Sequence, residues 1–384
     1  MRMSKLTEGL TGSMIREMFN EALKYKDTIK FTVGEPDFVT PAPIIDAACD
    51  AWQKGLTHYT PNSGIFELRE AISRFHSDKI DADPHTQIFV SCGATESLQM
   101  ALFTLVDPGD EVIVVVPAWP NYFGQISMCG AVAKLVTAYE ENDFVPDPED
   151  IRKAITSKTK AIMLNSPSNP TGSVIGRDTL KEILDILNRH DIYIIADEVY
   201  SRIIYDGIDY ASINDFKGIE EKVVYINGFS KMFAMTGWRL GYAISTPVII
   251  QNMTKLHENG ASCLPAPSQI AAAAALTHHT DEIETMRAIF ERRRDLFCKK
   301  LNEIDGMSCR IPKGAFYVFA NIKKLNKSSK EFCMDLLRKT GVVIVPGSGF
   351  GDAGEGYVRF TYAASEENIS NGLERIKSFV ETFK

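Results

Sequence analysis

The chain has 384 residues, 45% of them hydrophobic, enough to bury a large core and to divide into two domains. A net charge of −8 and a pI near 5.5 argue against a nucleic-acid backbone as its main partner. No apolar run approaches a membrane span and Met1 to Glu8 hold no apolar secretory core, so a cytoplasmic, membrane-free protein is expected. The cysteines (Cys49, Cys92, Cys129, Cys263, Cys298, Cys309 and Cys333) are scattered without a C-x-x-C. Reduced, mostly buried thiols are expected, with neither a disulfide framework nor a zinc site.

Between residues 85 and 245, short β-branched runs alternate with helical patterns. Strands are predicted at Gln87–Ser91, Glu111–Val116, Ala161–Asn165, Ile192–Ala196, Val223–Asn227 and Leu240–Ile244. Thr179–Arg189 predicts an amphipathic helix, with Leu180, Ile183, Leu184 and Leu187 at helical spacing. Alternation of this kind predicts an α/β fold, a mainly parallel central sheet with helices on both faces. Ligands on such sheets bind at the carboxyl ends of the strands. The alanine run Ala271–Ala275 reads as simple helix propensity. A long charged helix follows, in which Arg292, Arg293 and Arg294, flanked by acids, predict an exposed face. Strands at Ala315–Ala320 and Tyr357–Tyr362 and a final helix at Glu366–Phe383 predict a smaller α+β domain. The expected division is 39–285 for the large domain and 1–38 with 286–384 for the small one.

The chemistry-bearing residues follow the apolar runs. Gln87–Ser91 leads into Cys92-Gly93-Ala94-Thr95, where small residues at a helix start leave amides free for a phosphate; plain helix initiation is the simpler reading in isolation. Glu111–Val116 leads into Pro117-Ala118-Trp119, an indole for stacking on a flat ring or for the core. Ala161–Asn165 runs into Ser166-Pro167-Ser168-Asn169-Pro170-Thr171-Gly172, a preset loop in which Asn169 offers donor and acceptor, or an ordinary Asn-Pro turn. Ile192–Ala196 ends at Asp197, with Tyr200 three residues on. A carboxylate there either pairs with a cation, such as a protonated pyridine nitrogen, or caps the next helix. Val223–Asn227 ends at Ser230-Lys231, with Arg239 further along: an amine able to condense with an aldehyde and a guanidinium able to hold its phosphate. Arg359 alternates with apolar residues, which predicts an arginine on a half-buried strand in need of a carboxylate partner.

Three features carry no chemistry. Gly347-Ser-Gly-Phe-Gly precedes a strand, where a dinucleotide loop would need a helix. His278-His279 has no third ligand nearby, and the arginine triplet reads as solvated.

Taken together, from Val33-Gly34-Glu35-Pro36-Asp37-Phe38 to Glu355-Gly-Tyr-Val-Arg359, these segments resemble the class I aminotransferases of the fold-type-I pyridoxal-phosphate group. The resemblance implies a Schiff base between Lys231 and pyridoxal 5'-phosphate, Asp197 at the ring nitrogen, and Asn169 and Tyr200 at the phenolic oxygen. It implies Trp119 over the ring, a phosphate held by Gly93, Ala94, Thr95, Ser230 and Arg239, and a substrate α-carboxylate on Arg359 beside Gly34 and Asn169. Tyr59 resembles the tyrosine that reaches the partner subunit's phosphate, which implies a homodimer. The implied reaction is ping-pong transfer of an amino group from an L-amino acid to a 2-oxo acid, with glutamate and 2-oxoglutarate as one pair. No metal is implied.

This chain departs from the family in the substrate's distal pocket. Thr95 stands where some similar bacterial aspartate aminotransferases carry a lysine, and Lys255 is the lone lysine or arginine between Met253 and Gln269. Aspartate, aromatic and other donors stay open. A pyridoxal-phosphate C–S β-lyase is the same-fold alternative. A transcription regulator is not expected, because only about thirty residues precede Val33, too few for a helix-turn-helix.

Overall fold

The computed structural model describes residues 3–10, 12–278 and 281–383. Its centre is a seven-stranded sheet, in spatial order Ile88–Ser91, Gly241–Ile244, Val223–Gly228, Tyr193–Asp197, Thr159–Asn165, Glu111–Val116 and Val132–Thr137. Only Gly241–Ile244 runs antiparallel to its neighbours, so the expected mainly parallel sheet is present. Each predicted strand lies within two residues of its observed bounds. Val132–Thr137 was not anticipated; it is a half-exposed edge strand whose Lys134 breaks the apolar pattern.

Helices cover both faces. Arg177–Asn188 buries the four leucine and isoleucine positions that its spacing marks out. Ala266–His278 packs against Ala42–Gln53 and Phe66–Phe75, and its Ala271, Ala272 and Ala275 are fully buried. The alanine run is therefore more than helix propensity: small side chains let three helices approach closely.

A second, four-stranded antiparallel sheet, in the order Val345–Pro346, Tyr357–Thr361, Tyr317–Asn321 and Ser308–Cys309, has its own apolar core. The N-terminal segment joins that core through Met18, Ala22 and Phe31, and Ile29–Lys30 pairs in parallel with Val342–Val343. Because Tyr357–Thr361 is an inner strand, every residue on it is buried. Arg359 is 1% exposed, which corrects the half-buried strand expected from alternation.

The arginine triplet needs a second correction. Arg292 is exposed and pairs with Glu366, but Arg293 and Arg294 are buried on the Asp281–Asn302 helix. Arg293 grips Asp37 through two bonds of 2.6 and 3.0 Å, and Arg294 holds Asp206 at 2.7 and 2.9 Å. Arg294 also pairs with the adjacent Asp295, but Asp37 and Asp206 are distant in sequence, so local charge pattern misses the contacts that bury these arginines. The cysteines also differ from expectation: all are free, but only Cys129, Cys298 and Cys333 are buried. His278 ends its helix, while His279 lies outside the described residues. Among the described residues no His/Cys/Asp/Glu cluster can hold a metal, and no helix is long and apolar enough to cross a membrane. Gly347 to Gly351 leads through a short turn at Asp352–Gly354 into a strand, as expected.

Removing Arg294 takes away a buried guanidinium that holds the exposed carboxylates of Asp206 and Asp295, whereas Arg292 is a surface partner. Arg294→Ala is expected to cost about 2–4 kcal/mol and Arg292→Ala less than about 0.5 kcal/mol. Calorimetric melting of both variants checks this; equal, small shifts would contradict the burial of Arg294.

Candidate active site

The carboxyl ends of the central strands open into a cleft of about 830 Å³, closed on its other side by the strand bearing Arg359 and by the Met14–Ala22 helix. Of the residues expected in the site, Gly34, Ala94, Thr95, Trp119, Asn169, Asp197, Tyr200, Ser230, Lys231, Arg239 and Arg359 all line it. Gly93 sits just behind Arg239. Tyr59 does not line it and is 93% exposed.

Lys231 lies on a single helical turn, Phe229–Met232, that follows directly from the strand Val223–Gly228. Its Nζ donates to the Gly34 carbonyl at 2.5 Å and has no acid in direct contact. Burial pushes its pKa down to about 8; Glu35 pulls the other way, and Arg239 and Arg359 reinforce the depression. An amine held this way is a nucleophile and a base near neutral pH, unlike a solvated lysine.

Asp197 is the last residue of its strand and 5% exposed. The Tyr122 hydroxyl donates to its Oδ2 at 2.5 Å and the Val199 amide to its Oδ1 at 3.4 Å. Burial nonetheless raises its carboxyl to about 6. The helix-cap reading fails, because no helix follows this strand directly. Tyr122 went unanticipated: three residues past Trp119 on the helix Asn121–Met128, it reads in sequence as one more core aromatic. Asn165 was also missed. Its Nδ2 donates to the Asp197 carbonyl at 2.9 Å and its Oδ1 accepts from the Asn169 amide at 2.9 Å, tying two neighbouring strand ends together.

Gly93 caps the Ala94–Leu105 helix at φ 75°, and a Cβ there would strike the Arg239 guanidinium. Only glycine meets both demands without strain. Arg239 itself sits in the left-handed region at φ 57°, with Nη1 donating to the Thr236 carbonyl at 3.0 Å. Its Nη2 reaches the Cys92 carbonyl at 3.5 Å, and Arg239 lines the cleft together with Ala94, Thr95 and Ser230, a set of residues suited to an anion.

At the opposite end Arg359 donates to Asn169 Oδ1 at 3.0 Å and to the Thr32 carbonyl. Both partners are neutral, and its Nε is buried without any partner. Its guanidinium lies over the Tyr317 ring at 4.7 Å and the Phe350 ring at 5.0 Å. Burial lowers its pKa. Tyr317 in turn shares a 2.7 Å hydrogen bond with Tyr200, whose hydroxyl is thereby held inside the cleft. Trp119 stands edge-on to Tyr122, 5.4 Å between ring centres.

A family model described as "Aminotransferase class I and II" matches residues 26–376. The chain belongs to this family. It is 42% identical to an aspartate aminotransferase of Pyrococcus abyssi, aligned over all of both chains. It is 41% identical to aromatic-amino-acid aminotransferase 2 of Thermococcus litoralis, again over the full length of both. Its fold superimposes on the crystal structure of an aromatic aminotransferase from Pyrococcus horikoshii with a TM-score of 0.91, at 41% identity, covering 95% of this chain and 99% of that one. The chain is accordingly a pyridoxal-phosphate-dependent aminotransferase of fold type I; these similarities lend no support to a C–S β-lyase. The cleft fits the cofactor on its own terms. An aldehyde needs a neutral amine, a protonated pyridine needs a buried anion, and a phosphate needs a cationic cup, and all three line one cavity.

In cofactor-free protein, Lys231 is expected to be half neutral near pH 8, against about 10.4 for a solvated lysine. Competitive labelling with trace acetic anhydride, read by mass spectrometry, should show its reactivity rising with pH and levelling just above pH 8. A rise continuing past pH 10 would contradict this.

Proposed function

We propose that the protein moves an amino group between an aspartate- or aromatic-type L-amino acid and a 2-oxo acid, with glutamate and 2-oxoglutarate as one pair. The observation that carries the reading is the pair of buried charges Asp197 and Arg359, neither in direct contact with an opposite charge, in the cleft that also holds Lys231. Each lacks a counter-charge that the reaction's own components supply: a protonated ring nitrogen for Asp197, a substrate α-carboxylate for Arg359.

In this reading Lys231 holds the cofactor aldehyde, Asp197 keeps a proton on the ring nitrogen, and Asn169 and Tyr200 hold the phenolic oxygen. Gly93, Ala94, Thr95, Ser230 and Arg239 bind the phosphate, and Trp119 covers the ring. When bound, the cofactor supplies an electron sink for the bond that a substrate Cα must break. The chain supplies the rest. Arg359, with Asn169 and the Gly34 backbone, fixes the α-carboxylate and so aims the Cα hydrogen at Lys231. Once an amino acid displaces it, the Lys231 side chain is released as a neutral amine whose lowered pKa, about 8, suits it to take that proton and return it to the carbon that will keep the nitrogen. The amino group stays in the site after the first oxo acid leaves and passes to the second, a ping-pong sequence.

Tyr59 is proposed to reach the phosphate of a partner subunit in a homodimer, a reading supported by its exposure in the single chain. The division into 39–285 and 1–38 with 286–384 is supported by the two sheets and their separate cores. The chemistry suits a cytoplasmic enzyme of amino-acid metabolism.

A panel of amino donors against 2-oxoglutarate tests the function. Parallel double-reciprocal lines are expected, with Arg359→Ala raising KM for every amino acid by at least about tenfold. Release of ammonia and pyruvate from a single substrate, with no transfer, would overturn it.

Asp197→Asn separates the charge's two roles. The folded carboxyl titrates near 6 against an ordinary 3.8, so above pH 6 the cofactor-free protein bears a destabilising buried charge. The variant's cofactor-free form should therefore melt higher at pH 8, by up to about 3 kcal/mol, with the gain shrinking toward pH 5. Its transamination should fall at least about a hundredfold. A variant less stable at pH 8 and still active would contradict both roles.

A further inference from the structure

Among the described residues, four cations line the cleft: Lys231, Arg239, Arg359 and Arg16. The proposed reaction uses the first three. Arg16 comes from the Met14–Ala22 helix, ahead of the Val33 to Phe38 segment and outside every motif that marks the site, and the reaction as described gives it no task.

The helix that carries it is fixed. Met18 and Ala22 are buried in the core of the smaller sheet, Glu17 pairs with Lys330 at 2.9 Å, and the Ser348 hydroxyl points at the Met14 sulfur at 3.7 Å. Ile15, Arg16 and Phe19 are thereby presented to the cleft. The Arg16 guanidinium lies 5.9 Å from the centre of the Phe19 ring and makes no ion pair with any described acid. Glu35 also lines the cleft without pairing to it, and its charge acts on Lys231. Arg16 is thus a cation on a rigid support, resting on an aromatic face and open to the cavity.

A dicarboxylic substrate has a second anionic group to place. With its α-carboxylate on Arg359, the distal one needs a cation elsewhere in the lining. Thr95 brings a hydroxyl where a charge would serve. Lys255 is on the Pro247–Gly260 helix, does not line the cleft, and donates to Asn252 at 3.3 Å. We infer that Arg16 reads the distal carboxylate of aspartate, glutamate and 2-oxoglutarate. The Ile15 and Phe19 side chains beside it then form the apolar wall for aromatic or aliphatic substrates, with the guanidinium laid back on Phe19. The helix thus carries one reader for both substrate classes that a transaminase of this type must alternate between.

This inference rests on the aminotransferase reading above, and its test separates the two. The holoenzyme and its Arg16→Gln and Arg16→Lys variants are compared for kcat/KM with aspartate and with phenylalanine, and for competitive inhibition by succinate and by butyrate. For Arg16→Gln the aspartate-to-phenylalanine ratio should fall about ten- to a hundredfold, in KM more than in kcat, and Arg16→Lys should restore part of it. Succinate inhibition should weaken by the same factor relative to butyrate. Ratios that stay put, or an equal loss with every substrate and inhibitor, would overturn the assignment, as would a wild type that accepts no dicarboxylate in either half-reaction. A wild type that transfers no amino group from any donor would instead overturn the function itself.

Discussion

A carboxylate and a guanidinium buried in one cavity, neither in direct contact with an opposite charge, form the constraint on which this molecule turns. Burying a lone charge costs several kcal/mol, so folded chains normally pair it or neutralise it. Arg293 and Arg294 follow the rule, each closed against an aspartate from a distant segment. Asp197 and Arg359 do not. They meet only neutral donors and acceptors, with an unpartnered nitrogen left on the arginine. The fold keeps two destabilising charges in place for ligands to complete.

The architecture explains how that cost is tolerated. Asp197 ends one strand and Lys231 follows the end of its parallel neighbour, two strands whose interiors are mainly apolar. Arg359 comes from the inner strand of the other sheet, braced by two aromatic rings. Asn165, Tyr122 and Tyr317 orient the neighbouring groups without bearing charge themselves. The same low-dielectric setting that makes Asp197 costly depresses the Lys231 amine into the range where it can act as a base. Destabilisation and reactivity have one cause.

Much of this was legible in the sequence because parallel sheets place ligand-binding residues immediately after apolar runs. Lys231, Asp197, Asn169 and Trp119 each follow such a run, and local reading finds them. Tyr122 and Asn165 were invisible for the opposite reason: each acts by contacting a residue on another strand, and nothing in its own neighbourhood marks it. Arg293 and Arg294 were misread as solvated because Asp37 and Asp206, which anchor them in the interior, lie about 250 and 90 positions away, while the adjacent Asp295 reads as a surface partner. Arg359 was found by type and misjudged in depth, since alternation cannot tell an inner strand from an edge. The alanine run hid its packing role behind an adequate local explanation. Tertiary pairing is what the linear pattern lacks.

The most direct measurement is a crystal structure of the cofactor-loaded protein with an α-methyl amino acid, which enters the site but offers no Cα hydrogen. The account predicts both carboxylate oxygens on the Arg359 guanidinium, one reaching its now unpartnered Nε, and the ring nitrogen within hydrogen-bonding distance of Asp197. A carboxylate bound elsewhere, or a ring whose nitrogen turns away from Asp197, would contradict it.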